Sequence, residues 1–158
     1  VGQHGLMGKQ NVYEHSVGVP LMIKAAAQHT GKKTADLCYL IDVFPTLCDM
    51  LELPVPQSVD GISLLSSLDG KEPVRDYLYY SYMDNQRGIS DGTWKLIEYH
   101  VNGKRTTQLF NLKNDPWERN DLSGQKKYEK TIQRLREKMA EEQKRTNDTS
   151  VFWNNFSY

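Results

Sequence analysis

The run Val19-Pro-Leu-Met-Ile23 is continuously apolar and led by proline. That pattern predicts a core strand covered on both faces, with Pro where no ladder donor is needed. Ala25 to Thr34, with Gly31 and a pair of lysines, reads as an exposed connection. Asp42 is placed to cap a helix whose apolar positions are Val43, Phe44, Leu47, Met50 and Leu51, and Pro45 falls in its tolerant first turn. Leu53-Pro-Val-Pro breaks that helix, Ile62 to Leu68 is short enough to be only a packed turn, and a junction falls near Asp69 to Pro73.

Beyond the junction the period changes. Tyr77 to Met83, Gln86 to Ser90, Trp94 to His100 and Thr106 to Leu112 are rich in aromatic and β-branched residues, and the pairs Asp84-Asn85, Asp91-Gly92 and Asn102-Gly103 separate them. The spacing predicts an antiparallel sheet of about four strands joined by hairpins. Tyr128, Ile132, Leu135 and Met139 then recur at helical spacing, predicting a helix over about 125–146 that covers one face of the sheet. Glu141 is spaced to pair with Arg145 on its outer side. The fold expected is α+β, with residues 1–68 and 69–158 as its two parts.

Composition adds bounds to this picture. The 158 residues carry 20 Lys+Arg and 20 Asp+Glu, so no net field exists to gather a nucleic acid or an anionic membrane. No run approaches 18 apolar residues, which predicts no membrane span. Two cysteines, Cys38 and Cys48, form neither a disulfide-dense framework nor a CxxC metal spacing. There is no initiator Met, and the opening reads as loop, which suggests a piece of a longer protein. The sequons at Asn147 and Asn155 matter only in a eukaryotic secretory setting.

The opening stretch His4-Gly-Leu-Met-Gly-Lys9, followed by Tyr13-Glu-His-Ser16 and Val19-Pro-Leu21, closely resembles the sulfatases of the alkaline-phosphatase superfamily. The likeness runs on in order through Tyr39 to Leu47, Asp60-Gly-Ile-Ser-Leu64, Asp91-Gly-Thr-Trp-Lys-Leu96 and Gln108 to Pro116 with Glu118. An ordered series is far more specific than one motif. The resemblance implies the end of an alkaline-phosphatase-like α/β domain (1–68) followed by a small α+β subdomain (69–158). It also implies a parent that hydrolyses sulfate esters of glycans or aryl compounds, in a periplasmic or extracellular setting, with a formylglycine nucleophile and calcium.

Neither cysteine sits in the C-x-P/A-x-R segment from which formylglycine is made, and the paired metal ligands are also missing, so the chain alone is expected to be inactive, with no metal held by its own residues. By the resemblance, Lys9 contacts the sulfate and His4 stands at the pocket edge. A fixed ammonium suits a sulfuryl group whose charge moves onto the leaving oxygen. Without the resemblance, Lys9 reads as one of 20 basic residues and His4 and His15 as locally bonded histidines. Glu14 supports the loop by pairing with Lys9 or nearby backbone, and Asp42, Asp60 and Asp115 read as a cap and two turn formers. Asn85 and Arg87 either reach over the pocket to the substrate or are ordinary turn residues. Gly18 and Asn111 stand where the family commonly has Arg and Asp.

Two other readings stay open: a phosphodiesterase or phosphonate hydrolase of the same superfamily, and a non-catalytic domain whose Tyr77, Tyr79, Tyr80 and Tyr82 form a contact surface. The apolar strand and helix of the first part would be orphaned in isolation, which predicts self-association or rearrangement there.

Overall fold

A computed structural model describes residues 2–24, 31 and 33–150. The chain forms two compact units, one of residues 1–19 with 79–158 and one of residues 20–78. The units divide the chain elsewhere than at 68/69, because Val12 and Tyr13 pack among Ile97 and Phe110 of the later half.

The first unit is built on a four-stranded antiparallel sheet of order β1-β2-β3-β4, with β1 Leu78–Tyr82, β2 Gln86–Ser90, β3 Trp94–Val101 and β4 Lys104–Asn111. All four expected strands are present. Asn102 and Gly103 at the β3–β4 turn have φ of 51° and 73°, the pair of positive values that a two-residue hairpin turn needs. Register sorts the side chains. Tyr99 lies between Gln86 and Thr106, and Ile97 between Gly88 and Gln108, on one face. Leu96, Glu98, Thr107 and Leu109 point to the other.

That second face is covered by α4, Glu129–Arg145, through Ile132, Leu135 and Met139, all buried. These three belong to the stripe read from the sequence, while its first member, Tyr128, lies half-buried in a 3₁₀ turn, Lys126–Tyr128, with its ring 5.2 Å from that of Trp94. Its outer ion pairs differ from the spacing expected: Arg145 bonds Glu142 at 2.7 Å and Lys138 bonds Glu141 at 2.7 Å, both at i,i+3. Between sheet and helix the fully buried Glu98 is held by Arg105 at 2.8 Å and by Arg136 at 2.7 Å. Two guanidinium groups and the Thr107 hydroxyl at 2.8 Å satisfy a carboxylate that would otherwise be prohibitive to bury.

In the second unit, α2 spans Val43–Met50 after a 3₁₀ turn Leu40–Asp42. Its apolar positions lie uncovered, as expected for a helix orphaned in isolation. Pro45, Thr46 and Cys48 are buried, whereas Phe44, Leu47 and Leu51 are 52%, 46% and 66% exposed. The residues 43–51 form an apolar stripe, but the stripe faces outward because the polar residues Asp42 and Thr46 anchor the inward side. The Asp42 side chain makes no cap bond to α2. Its carboxylate accepts from Tyr39 N at 2.6 Å, Ile62 N at 2.9 Å and Arg75 Nη2 at 2.9 Å. Thr46 Oγ1 accepts from Leu64 N at 2.9 Å, so the loop 62–64 is tied to the helix. Gly61 is obligatory here, because a Cβ would stand 2.2 Å from the Ile41 carbonyl oxygen. Short helix α3 follows at Leu65–Leu68.

Residues 19–23 are not a strand. They are irregular, and Met22 is 93% exposed. A strand requires hydrogen-bonding neighbours along its edges. The sheet strands among the described residues pair only with one another. The expected connection 25–34 lies mostly outside the described residues, as do His29 and Asn155.

Candidate functional site

The segment 2–19 is shaped by local bonds and tied to the sheet through Tyr13 and Glu14. Gly2 N donates to Leu6 O at 2.8 Å, closing a loop in which His4 sits at φ 54°, a left-handed value costly for any residue with a Cβ. Asn11, 5% exposed, accepts from Tyr13 N at 3.0 Å and reaches Gly8 O at 3.4 Å, which fixes the residues flanking Lys9. Tyr13 is buried, and its hydroxyl donates to Gln108 Oε1 at 2.6 Å on β4. Burial, the largest influence, pushes the Tyr13 phenol up from its ordinary value. It stays protonated and remains a donor.

A charged clamp lies one residue further along. Lys95 is fully buried, and its ammonium stands 2.7 Å from Glu14 Oε1, 3.0 Å from Glu118 Oε1 and 5.0 Å from the centre of the Tyr80 ring. Glu118 Oε2 also accepts Glu14 N at 2.6 Å. Burial pushes the Glu118 carboxyl up and outweighs the Lys95 charge that pulls it down. Glu14 therefore pairs with Lys95, not Lys9. The sequence carried a signal for this clamp, since Lys95 shares a face with Ile97 and Tyr99 in a strand of period two, and a lysine there must be paired.

On this anchored segment the His4 ring stacks on Tyr13, centroids 3.9 Å apart and planes within 3°, and His15 follows at 5.6 Å. His4 and Lys9 are both exposed. Burial first, then the neighbouring His4 imidazole, lowers the His15 pKa. His15 is thus neutral near pH 7 and lies 3.3 Å from Asn11 Nδ2, a local bond as the lone-histidine reading expects.

The two residues named for substrate contact part company. Asn85 is exposed at the β1–β2 turn, and its carbonyl accepts His100 N at 2.8 Å. Arg87 is 2% exposed, bonding Asp148 Oδ2 at 2.6 Å, Met83 O at 2.6 Å and Gln86 O at 2.8 Å. In this structure Arg87 faces α4 and not an open pocket, because odd-numbered residues of β2 point to that side. Tyr79 is buried and donates to the same Asp148 at 2.6 Å, while Tyr80, half-buried, covers Lys95. Asp115 accepts Asn120 N at 2.8 Å and Asn111 accepts Asn114 N at 3.1 Å, both turn contacts. Among the described residues no group of three or more His, Cys, Asp or Glu stands close enough to hold a metal ion. Cys38 and Cys48 are free.

The segment that carries His4 and Lys9 is thus locked onto a four-stranded antiparallel sheet backed by a helix. Residues 2–145 match the family described as N-sulphoglucosamine sulphohydrolase, C-terminal, and the chain belongs to that family. It is 29% identical to an N-acetylglucosamine-6-O-sulfatase of Bacteroides thetaiotaomicron over 94% of this chain and 29% of the relative. It is 26% identical to human arylsulfatase K over 72% of this chain and 24% of the relative. A solved structure of a protein in complex with its substrate D-glucosamine-2-N,6-O-disulfate superposes with a TM-score of 0.59 at 27% identity, covering 71% of this chain and 25% of that one. The chain thus spans less than a third of the length of these relatives.

Proposed function

We propose that this chain is the C-terminal part of an enzyme that hydrolyses sulfate esters of saccharides or aryl compounds, outside the cytoplasm. The observation that supports this reading is the anchoring of residues 8–14: Asn11, Tyr13 and Glu14 are held by hydrogen bonds and an ion pair, while Lys9 and His4 remain at the surface. Two exposed groups able to carry positive charge on a backbone fixed from behind suit an anion whose charge grows in the transition state. In this reading Lys9 binds the sulfate. His4, stacked on Tyr13, stands on the leaving-group side.

The residues described here do not make a metal site, and neither cysteine fits the formylglycine segment. The nucleophile and calcium of the proposed enzyme therefore belong to other residues, and the role of this chain is to bind and orient the sulfate. Lys9→Ala in the full-length enzyme should lower kcat/KM on an aryl sulfate about 100-fold, the scale for one preorganised contact to a developing anion. A phosphonate monoester serves as the competing substrate. An unchanged rate in a folded variant would move Lys9 out of the sulfate site, and preference for the phosphonate would overturn the sulfatase reading.

A further inference from the structure

Among the described residues, the sheet face that carries the N-terminal segment is not covered along its whole length. Toward the β3–β4 hairpin, Gln86, Tyr99 and Thr106 stand side by side on three adjacent strands, with Lys104 and Gln108 one step to either side on β4. With Tyr13 and His4 they line a cleft of about 580 Å³, within the size range of small-ligand sites. Among the described residues its walls contain no Asp or Glu.

The lining has a specific chemistry. Tyr13 and Tyr99 offer aromatic surface, and Gln86 and Gln108 offer amides that both donate and accept. Gln86 Oε1 is buried without a hydrogen-bond partner, an acceptor left unmet by the protein itself. Lys104 is exposed and makes no ion pair within the described residues. A sugar ring meets each feature: its C–H face lies on an aromatic ring, its hydroxyls both donate and accept, and an attached anionic group meets the lysine. A purely apolar ligand would leave the amides unsatisfied, and a cation would meet Lys104.

We infer that this cleft binds a saccharide ring bearing a sulfate or carboxylate, beside the ring whose leaving-group side meets His4. The inference rests on the sulfatase reading for that neighbouring ring, but binding in the cleft is measurable without turnover. The direct test titrates the ¹⁵N-labelled chain with a glucosamine–uronate disaccharide carrying one N-sulfate. A neutral N-acetylglucosamine disaccharide is the comparison. Backbone shifts should map to residues 86, 99, 104, 106 and 108, and the charged sugar should bind more tightly. Lys104→Met, at an exposed position that leaves the fold intact, should weaken it about tenfold, the loss of one charge-assisted contact. Gln86→Ala should weaken both sugars.

In the full-length enzyme, Lys104→Met should lower kcat/KM for the sulfated disaccharide and leave an aryl sulfate unaffected. Shifts absent from the cleft, equal affinity for the two sugars, or an unaltered Lys104→Met would overturn the inference. Binding in the cleft together with a preference of the full-length enzyme for the phosphonate monoester would instead overturn the sulfatase reading alone.

Discussion

Replacing Lys95 by Met removes the cation from the clamp while keeping most of its volume. Glu118, whose side chain is 1% exposed, is then left with Glu14 N as its remaining bond, whereas Glu14, one third exposed, can turn to water. Removing one partner of a buried pair costs about 3–5 kcal/mol, a large part of the 5–15 kcal/mol that a domain has in total. For a unit of this size that corresponds to a fall in Tm of roughly 4–8 °C per kcal/mol. The deficit depends on pH. Burial already raises the Glu118 pKa, and loss of Lys95 raises it further. A carboxyl whose folded pKa lies above its unfolded value favours the fold at pH below the unfolded value, and that contribution is lost as pH rises through the folded one. Lys95→Met should therefore be closer to wild type near pH 5 than near pH 8. Adding Glu118→Gln removes the stranded charge and keeps an acceptor for Glu14 N, so the double variant should recover part of the loss. Urea unfolding followed by circular dichroism at both pH values measures all of this. A single variant within 1 kcal/mol of wild type, a pH-independent deficit, or a double variant no better than the single one would refute the account.

In the second unit, burial pushes the Asp42 carboxyl up, but bonds from Arg75, Ile62 and Tyr39 outweigh it and hold its pKa below the ordinary 3.8. Its contribution is then full above 3.8 and lost as pH falls through the lower folded value, so Asp42→Asn should flatten the acid limb of a pH–stability curve. Phe44, Leu47 and Leu51 form an exposed apolar helix face, and concentration-dependent association that Phe44→Ser with Leu47→Ser abolishes is the expected sedimentation result. A monomer at every concentration would count against it. The 158-residue chain by itself should not hydrolyse an aryl sulfate with calcium present; turnover would show that a nucleophile exists among its own residues.

The sequence by itself determined the sheet, the helix α4 and the family. Hairpin turn pairs, alternating strands and a four-residue apolar stripe are local patterns, and each settles its own element from residues close in the chain. The stretch His4 to Leu21 pointed to the chemistry because its order of residues is specific even where each motif is not. Only tertiary structure decided what those residues touch. Glu14 meets Lys95 across 81 positions and Glu118 through its own backbone across 104, and no local period encodes such partners. Arg87 was legible as a hairpin residue, yet its partner Asp148 lies 61 positions on and draws it under α4. The apolar run 19–23 and the face of α2 show the converse. Their hydrophobicity states that they are built to be covered, but burial belongs to a pair of surfaces, and sequence describes one surface at a time.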